Sequence, residues 1–364
     1  MAATPPPLRI LVSRPDRLGD VILSTPVLEV IKRHYPKATV TLLVRADPAR
    51  LVGGLTSVDE TLIFDPEGRH AGFKGFFRLV SEIRERGFRI AVSLQSHWKI
   101  AAAILLARVR YRVGPLSKPH SYLCYNRGVR QRRSHVEMHE ADYNLQLLRR
   151  LGIRVGTRNV PTAVHVSDAE GAAARSWLEG RGWPPGETFV VVHPGMGGSA
   201  LNWPENHYVE LIRALARDGR RVLVTFGPTE QPLLKRVSEA VGSAGGDRVI
   251  YYGGADAAGI ERLGALLSLS ALVIAPSTGP LHVAVALGKP VVAFYPPVRV
   301  QSAIRWGPYL RDASRAAVLV PEVYCGEDFA CRGSLCNYFP CMKSLSVSQA
   351  LARAGQLLES ERSK

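Results

Sequence analysis

The feature that most constrains this chain is a rhythm. Short apolar, β-rich runs each end in a polar or glycine-bearing loop, and each loop opens a helix. LRILVS, Leu8 to Ser13, leads through a polar loop into a helical stretch from Asp20 to about Tyr35, which Pro36 stops. ATVTLLV follows and ends at Val44, and further strand candidates are Thr61 to Phe64, Ile90 to Leu94 and Tyr111 to Val113. Helical patterns fill the gaps at Phe73 to Arg86, Trp98 to Arg108 and Ser134 to Leu151. The scheme then repeats. Runs ending at His193, Phe226, Ala275 and Phe294 alternate with helices near Asp168 to Arg181, Glu205 to Asp218, Thr229 onward and Pro280 to Leu287. Such alternation implies parallel sheets covered on both faces.

A chain of 364 residues with 46% hydrophobic content can bury two such cores. The division is expected near the aperiodic stretch Ile153 to Val166. This gives residues 1–160 and 161–345 as two Rossmann-like domains facing across a cleft, with a terminal helix over 346–364. The longest apolar runs fall far short of the roughly 20 residues that a spanning helix needs. The N-terminus lacks a basic region followed by an apolar core, so a cytoplasmic protein is expected.

In doubly wound sheets ligands bind where strands end. SRPDRLGD, Ser13 to Asp20, places Asp20 at a helix start, either as a cap or as a general base kept ionised by the helix end. HPGMGGSALNWP carries Gly195, Gly197, Gly198 and Ser199, whose backbone can approach a phosphate. PSTGPLH places Ser277, Thr278 and Gly279 before a helix that opens with Pro280, a recipe for anion binding. Two such loops in one half suit a diphosphate. In FGPTEQP, Glu230 is either a first-turn glutamate or an acceptor for ribose hydroxyls.

The net charge is +16, with a strong cluster running from Arg108 to Arg133. Nucleic acid, an anionic membrane or an acidic substrate could each explain it. No nucleic-acid motif accompanies the cluster, so no nucleic-acid partner is expected. Four of the five cysteines, Cys325, Cys331, Cys336 and Cys341, crowd into one segment. Their spacing is not the paired CxxC of a zinc ribbon, and reduced structural thiols are expected ahead of a zinc or iron site.

Together these segments resemble glycosyltransferase family nine, the bacterial lipopolysaccharide heptosyltransferases. The resemblance runs through ILVSRPDRLGDVILSTPVLEVIKRHYPKATVTLLV, HPGMGGSALNWPENHYVELIRAL, FGPTE, LSLSALVIAPSTGPLHVAVALGKPVVAFYPP and the cysteine-bearing tail. It implies a GT-B fold and an inverting transfer with no metal in the chemical step and no cofactor. Asp20 would be the general base. The donor would be ADP-heptose or a related nucleotide sugar, bound by the two loops together with His193, Asn202, Trp203, Glu230 and His282. The acceptor would be an anionic glycolipid of the lipopolysaccharide core, met at the inner face of a membrane. Arg14, Arg17, Gln95, Lys99, Arg112 and Lys118 would hold it. The sequence departs from the family pattern at Leu201 and Asn202, where many members carry a cation, and at Ser277, where many carry aspartate. Neutral donors are therefore expected to carry most of the load at the donor phosphates. Within the same family a protein hydroxyl could be the acceptor. Outside it stand a sugar-nucleotide epimerase or hydrolase and a non-catalytic nucleotide-sugar-binding relic.

Overall fold

The computed structural model describes residues 7–253, 259–325 and 330–362. The chain divides into two compact units. Residues up to Arg133 with Glu140–His165 form the first, and Ser134–His139 with Val166–Lys364 form the second. The short segment 134–139 joins the second unit because His139 donates from Nε2 to the Gly307 carbonyl at 2.9 Å and packs beside Tyr309.

The first unit holds strands β1 (Arg9–Ser13), β2 (Thr39–Val44), β3 (Glu60–Ile63), β4 (Ile90–Ser93), β5 (Tyr111–Pro115) and β6 (Arg127–Val129). Its helices are α1 (Leu18–Ile22), α2 (Thr25–His34), α3 (Ala46–Val52), α4 (Gly72–Glu85), α5 (Trp98–Leu106), α6 (Pro119–Cys124) and α7 (Glu140–Gln146). The strands are all parallel, in the order β3-β2-β1-β4-β5-β6. Alternation along β1 explains the two covered faces: Ile10 and Val12 enter one apolar cluster, and Leu11 enters the other with residues of α4 and α5.

The second unit holds β7 (Phe189–Val192), β8 (Arg221–Phe226), β9 (Val249–Gly253), β10 (Leu272–Pro276), β11 (Val291–Phe294) and β12 (Ala316–Leu319). Its helices are α8 (Asp168–Glu179), α9 (Glu205–Arg217), α10 (Gln231–Val241), α11 (Gly259–Leu269), α12 (Gly279–Ala286), α13 (Ala303–Trp306) and α14 (Val347–Arg362). The strand order is β12-β11-β10-β7-β8-β9, again all parallel. α14 is part of this unit: Ala350, Ala354, Leu357 and Leu358 share a core with β7, β8 and α9.

Counted from its own first strand, each sheet has the Rossmann order 3-2-1-4-5-6. The chain therefore reverses direction between β1 and β4 in one unit and between β7 and β10 in the other. At these switch points the loops part and leave a crevice at the carboxyl edge.

The first helix differs from expectation. It begins at Leu18, not at Asp20, and breaks before Thr25. Pro26 explains the break, because it has no N–H to give to the carbonyl of Ile22 and its ring would crowd that carbonyl. The Ser134–Leu151 stretch is likewise not one helix but short turns around α7.

Candidate active site

At the switch point of the first unit, β1 delivers Arg14 into the interior, where it is 3% exposed. Its guanidinium gathers three carboxylates. Nη2 donates to Asp20 Oδ1 at 2.5 Å, Nε pairs with Asp16 Oδ2 at 2.7 Å, and Nη1 reaches Glu140 Oε1 at 3.3 Å. The Leu94 carbonyl and Asn144 Oδ1 take the same Nη1, each at 3.3 Å. Arg133 also donates to Glu140. Arg14 and Arg133 thus face Asp16, Asp20 and Glu140, and the effect of this setting shows at Asp16. Burial raises its pKa, Asp20 and Glu140 raise it further, and Arg14 and Gln95 oppose them, leaving it at about 6. Asp20 stands in the first turn of α1 and is the most exposed of the three carboxylates, at 23% against 17% for Asp16 and 1% for Glu140.

Arg14 thus spends its donors inside this cluster. Arg112 is likewise engaged within the fold. Its guanidinium donates to the backbone carbonyls of Cys124 and Val109, both at 2.7 Å, and so braces β5 against the turn after α6. Arg17 is exposed, immediately before α1. Gln95 follows β4 and bonds the Asp16 carboxylate, which ties the two loops of the switch point together. Lys99 on α5 and Lys118 before α6 stand close enough to His97 to depress its pKa. Burial is the larger cause, and Arg45 and His120 add to it. Arg45, His97, Lys99, Lys118 and His120 all follow strand ends, so they form a basic rim on the carboxyl edge.

In the second unit β10, β7 and β8 are neighbours, and their exits bring the three expected loops together. His193 is buried at the end of β7, with Nδ1 3.0 Å from Thr225 Oγ1 and Nε2 4.0 Å from Glu230 Oε2. Burial lowers its pKa against the pull of Glu230 and Thr225, so the imidazole is neutral at pH 7. Glu230 Oε2 accepts the Gly227 N–H at 2.7 Å. Gly195 packs directly on the Glu230 carboxylate, and a Cβ there would run into it. A side chain at 195 would therefore have to displace the Glu230 carboxylate from its place on the Gly227 N–H. Gly198 has φ +73, a left-handed turn with open space around it. Gly197 and Ser199 are exposed beside it.

Asn202 and Trp203 frame this loop from below. Asn202 Nδ2 donates to the Pro194 carbonyl at 2.7 Å, while its Oδ1 accepts from the Trp203 N–H and the Tyr208 hydroxyl. Trp203 is a core residue: its ring stacks on Phe294 at 4.2 Å and its N–H bonds the Leu345 carbonyl. The polar groups of both side chains are engaged within the fold. Ser277 bonds the Tyr295 hydroxyl. Thr278 Oγ1 turns back to the Pro276 carbonyl at 3.2 Å, so no side chain caps α12, which has Pro280 in its first turn. His282 is buried on the same helix.

Sequence reasoning missed Glu140 and Asn144, and saw Arg133 only as part of the basic cluster, because all three lie more than a hundred residues from Asp20 and only the fold brings them to it. Asp16 lies mid-loop, with no helix to fix it. The signal was the spacing of Arg14, Asp16 and Asp20 within one strand-to-helix turn. Among the four clustered cysteines, burial followed by the other three thiols pushes the Cys341 thiol up. Among the described residues no group of three or more His, Cys, Asp or Glu side chains is set to hold a metal ion.

The family model of glycosyltransferase family 9 (heptosyltransferase) matches residues 76–335. A protein of Haemophilus influenzae named "Putative glycosyltransferase" is 30% identical over 318 residues, covering 86% of this chain and 89% of the relative. Among solved structures, a family 9 glycosyl transferase from Veillonella parvula superposes with TM-score 0.83 at 21% identity, covering 97% of this chain and 98% of that one. The Escherichia coli ADP-heptose lps heptosyltransferase II gives TM-score 0.78 at 20% identity, covering 98% and 100%. These two likenesses carry the fold, a GT-B pair of Rossmann-like units. The family match and the Haemophilus relative carry the assignment: this chain is a glycosyltransferase and belongs to family 9, the heptosyltransferases.

Proposed function

We infer that the protein moves a heptose from ADP-heptose to an anionic, lipid-linked saccharide of the lipopolysaccharide core, with inversion at the anomeric carbon. The observation that supports this reading is the carboxylate cluster at the first switch point, of which Asp20, in the first turn of α1, is the most exposed member. The acceptor hydroxyl oxygen attacks the anomeric carbon, its proton passes to Asp20, and the bond from that carbon to the β-phosphate oxygen breaks. ADP leaves with the electron pair. General-base assistance of this kind is worth about 10²–10⁴-fold.

The second unit supplies the donor site in this reading. The uncapped first turn of α12 and the exposed backbone around Gly197 and Gly198 receive the diphosphate, and its developing charge meets fixed N–H donors. Glu230 Oε2 is held by Gly227, and its other oxygen accepts a ribose hydroxyl. His193 keeps Glu230 in place as a neutral neighbour. Arg17, Lys99 and Lys118 on the carboxyl edge of the first unit hold the acceptor's phosphates or carboxylates. The chemical step uses only these side chains and backbone groups and is written without a metal.

The test is product analysis. ADP-heptose and a core acceptor should give ADP and a glycoside of inverted configuration, read by anomeric coupling in NMR. Free heptose without glycoside would point to hydrolysis. Binding of ADP-heptose without any turnover would point to a non-catalytic relic, and transfer to a protein hydroxyl would move the acceptor assignment.

A further inference from the structure

Helices α4, α5 and α6 cover one face of the first sheet, and the outer side of this layer is not polar. Phe73 is 78% exposed, Phe77 47% and Trp98 56%. They form a connected aromatic chain. Phe73 meets Phe77 at 4.8 Å between ring centroids, Phe77 meets Phe76 at 5.3 Å, and Phe76 stacks toward Trp98 at 6.3 Å. α6, which packs on α5, adds Tyr122 at 53% and Leu123 at 81%. A group of large apolar side chains this exposed is unusual on a solvated helix layer and marks an interaction surface.

The charge around it is mostly basic: α4 has Glu82, which is buried against Arg69 and His70, and an exposed Glu85 at its far end. Between residues 86 and 136 the chain carries eleven Lys and Arg residues and no Asp or Glu. On α4, Lys74 and Arg78 alternate with the phenylalanines, and the Lys99 ammonium lies 5.8 Å from the Trp98 ring centroid. Aromatic rings interleaved with Lys and Arg suit the boundary of an anionic bilayer, where rings sit among headgroups and cations meet phosphates. Among the described residues no helix is long and apolar enough to cross a membrane, so contact through this layer would be superficial. The position is also telling. Phe73, Trp98 and Tyr122 belong to short helices or first turns that follow β3, β4 and β5, and in a parallel sheet those turns lie on the carboxyl edge that also carries Asp20.

We propose that the aromatic and basic outer face of α4, α5 and α6 is a docking surface for an anionic phospholipid bilayer. Docking there places the carboxyl edge of the first unit at the headgroup level, where the sugar of a lipid-linked acceptor is presented. The purpose of the surface rests on the reading of the acceptor as lipid-linked; the docking itself does not.

Full-length protein is sedimented with vesicles of phosphatidylcholine alone and of phosphatidylcholine mixed with phosphatidylglycerol, at low and high salt. Wild type is expected to pellet with the mixed vesicles at low salt and to be released by high salt. Phe73→Ser with Trp98→Ser should lower the bound fraction about tenfold or more. Lys74→Glu with Arg78→Glu, two exposed changes that leave the core untouched, should weaken binding about fivefold or more for each cation reversed. Circular dichroism melting checks that each variant is folded. Failure of wild type to bind mixed vesicles, or equal binding by folded variants, would overturn the proposal. So would a concentration-dependent dimer in sedimentation velocity that the Phe73→Ser, Trp98→Ser pair abolishes, since the patch would then serve a second copy of the chain. The readout is vesicle binding, not transfer. Docking without transfer would count against the proposed reaction, and transfer without docking would count against this surface.

Discussion

Asp16 shows how much of this site is decided by charge balance at single residues. Its carboxyl is pushed up to about 6, chiefly by burial, with Asp20 and Glu140 raising it further against the pull of Arg14 and Gln95. Its folded pKa lies above the unfolded value of about 4, so its stabilising contribution is complete below that value and is lost as pH rises through about 6. At neutral pH an ionised Asp16 therefore weakens the fold. Asp16→Asn is expected to raise stability by about 1–3 kcal/mol at pH 7.5, with the gain fading as pH falls toward about 4. Thermal melts of both proteins across that range check it; a gain that is flat with pH would contradict the shared-charge picture. The same ionisation should appear in catalysis as a rate that climbs through pH about 6 in wild type and loses that limb in Asp16→Asn.

At the scale of elements, the loop from His193 to Pro204 is built from inside outward. Gly195 exists because the Glu230 carboxylate occupies the space of its side chain. Gly195→Ala should displace Glu230 and lower ADP affinity along with about 1–3 kcal/mol of stability. Gly195→Ala combined with Glu230→Ala should recover much of the stability loss, and a double-mutant cycle measures that coupling. Trp203→Phe keeps the stack on Phe294 but removes the bond to Leu345, so it should cost about 1–3 kcal/mol in urea unfolding while leaving ADP affinity unchanged. A lost ADP site in Trp203→Phe would restore the tryptophan as a ligand contact.

These elements also show where sequence reading succeeds and fails. The central strands were legible because Ile10 to Val12, Val190 to Val192 and Leu272 to Ile274 are buried on both faces and read as unbroken apolar runs. The edge strands β6, β9 and β12 were not: Arg127–Val129 is short and basic, and Ala316–Leu319 is only half-buried. Asp20, the Gly195 loop and the Thr278 turn were visible as loops after strands. The contacts that Arg14, Asn202, Trp203 and Arg112 make within the fold were not, because a family motif names a position without giving its neighbours in space. Burial and hydrogen bonding answer that, and neither is local in sequence.

For the whole molecule, two Rossmann units of identical strand order each put their chemistry at the one point where the chain reverses. The first unit carries the Arg14 carboxylate cluster, a basic rim and an aromatic face; the second carries glycine-bearing loops and an uncapped helix end. The net charge of +16 would give the proposed anionic acceptor a long-range attraction. Acceptor KM should therefore rise with salt while ADP affinity changes little, and Lys99→Ala with Lys118→Ala should flatten that salt dependence. A KM indifferent to salt would separate the basic rim from acceptor binding.

The most direct test of the central claim is Asp20→Asn, assayed for glycoside formation from ADP-heptose in single turnover and for ADP-heptose binding by calorimetry. The expected result is a loss of transfer by about 10²–10⁴-fold with donor affinity held. Transfer at the wild-type rate would contradict Asp20 as the base and move the proton acceptor elsewhere in the Arg14 cluster, with Asp16 the next to be changed.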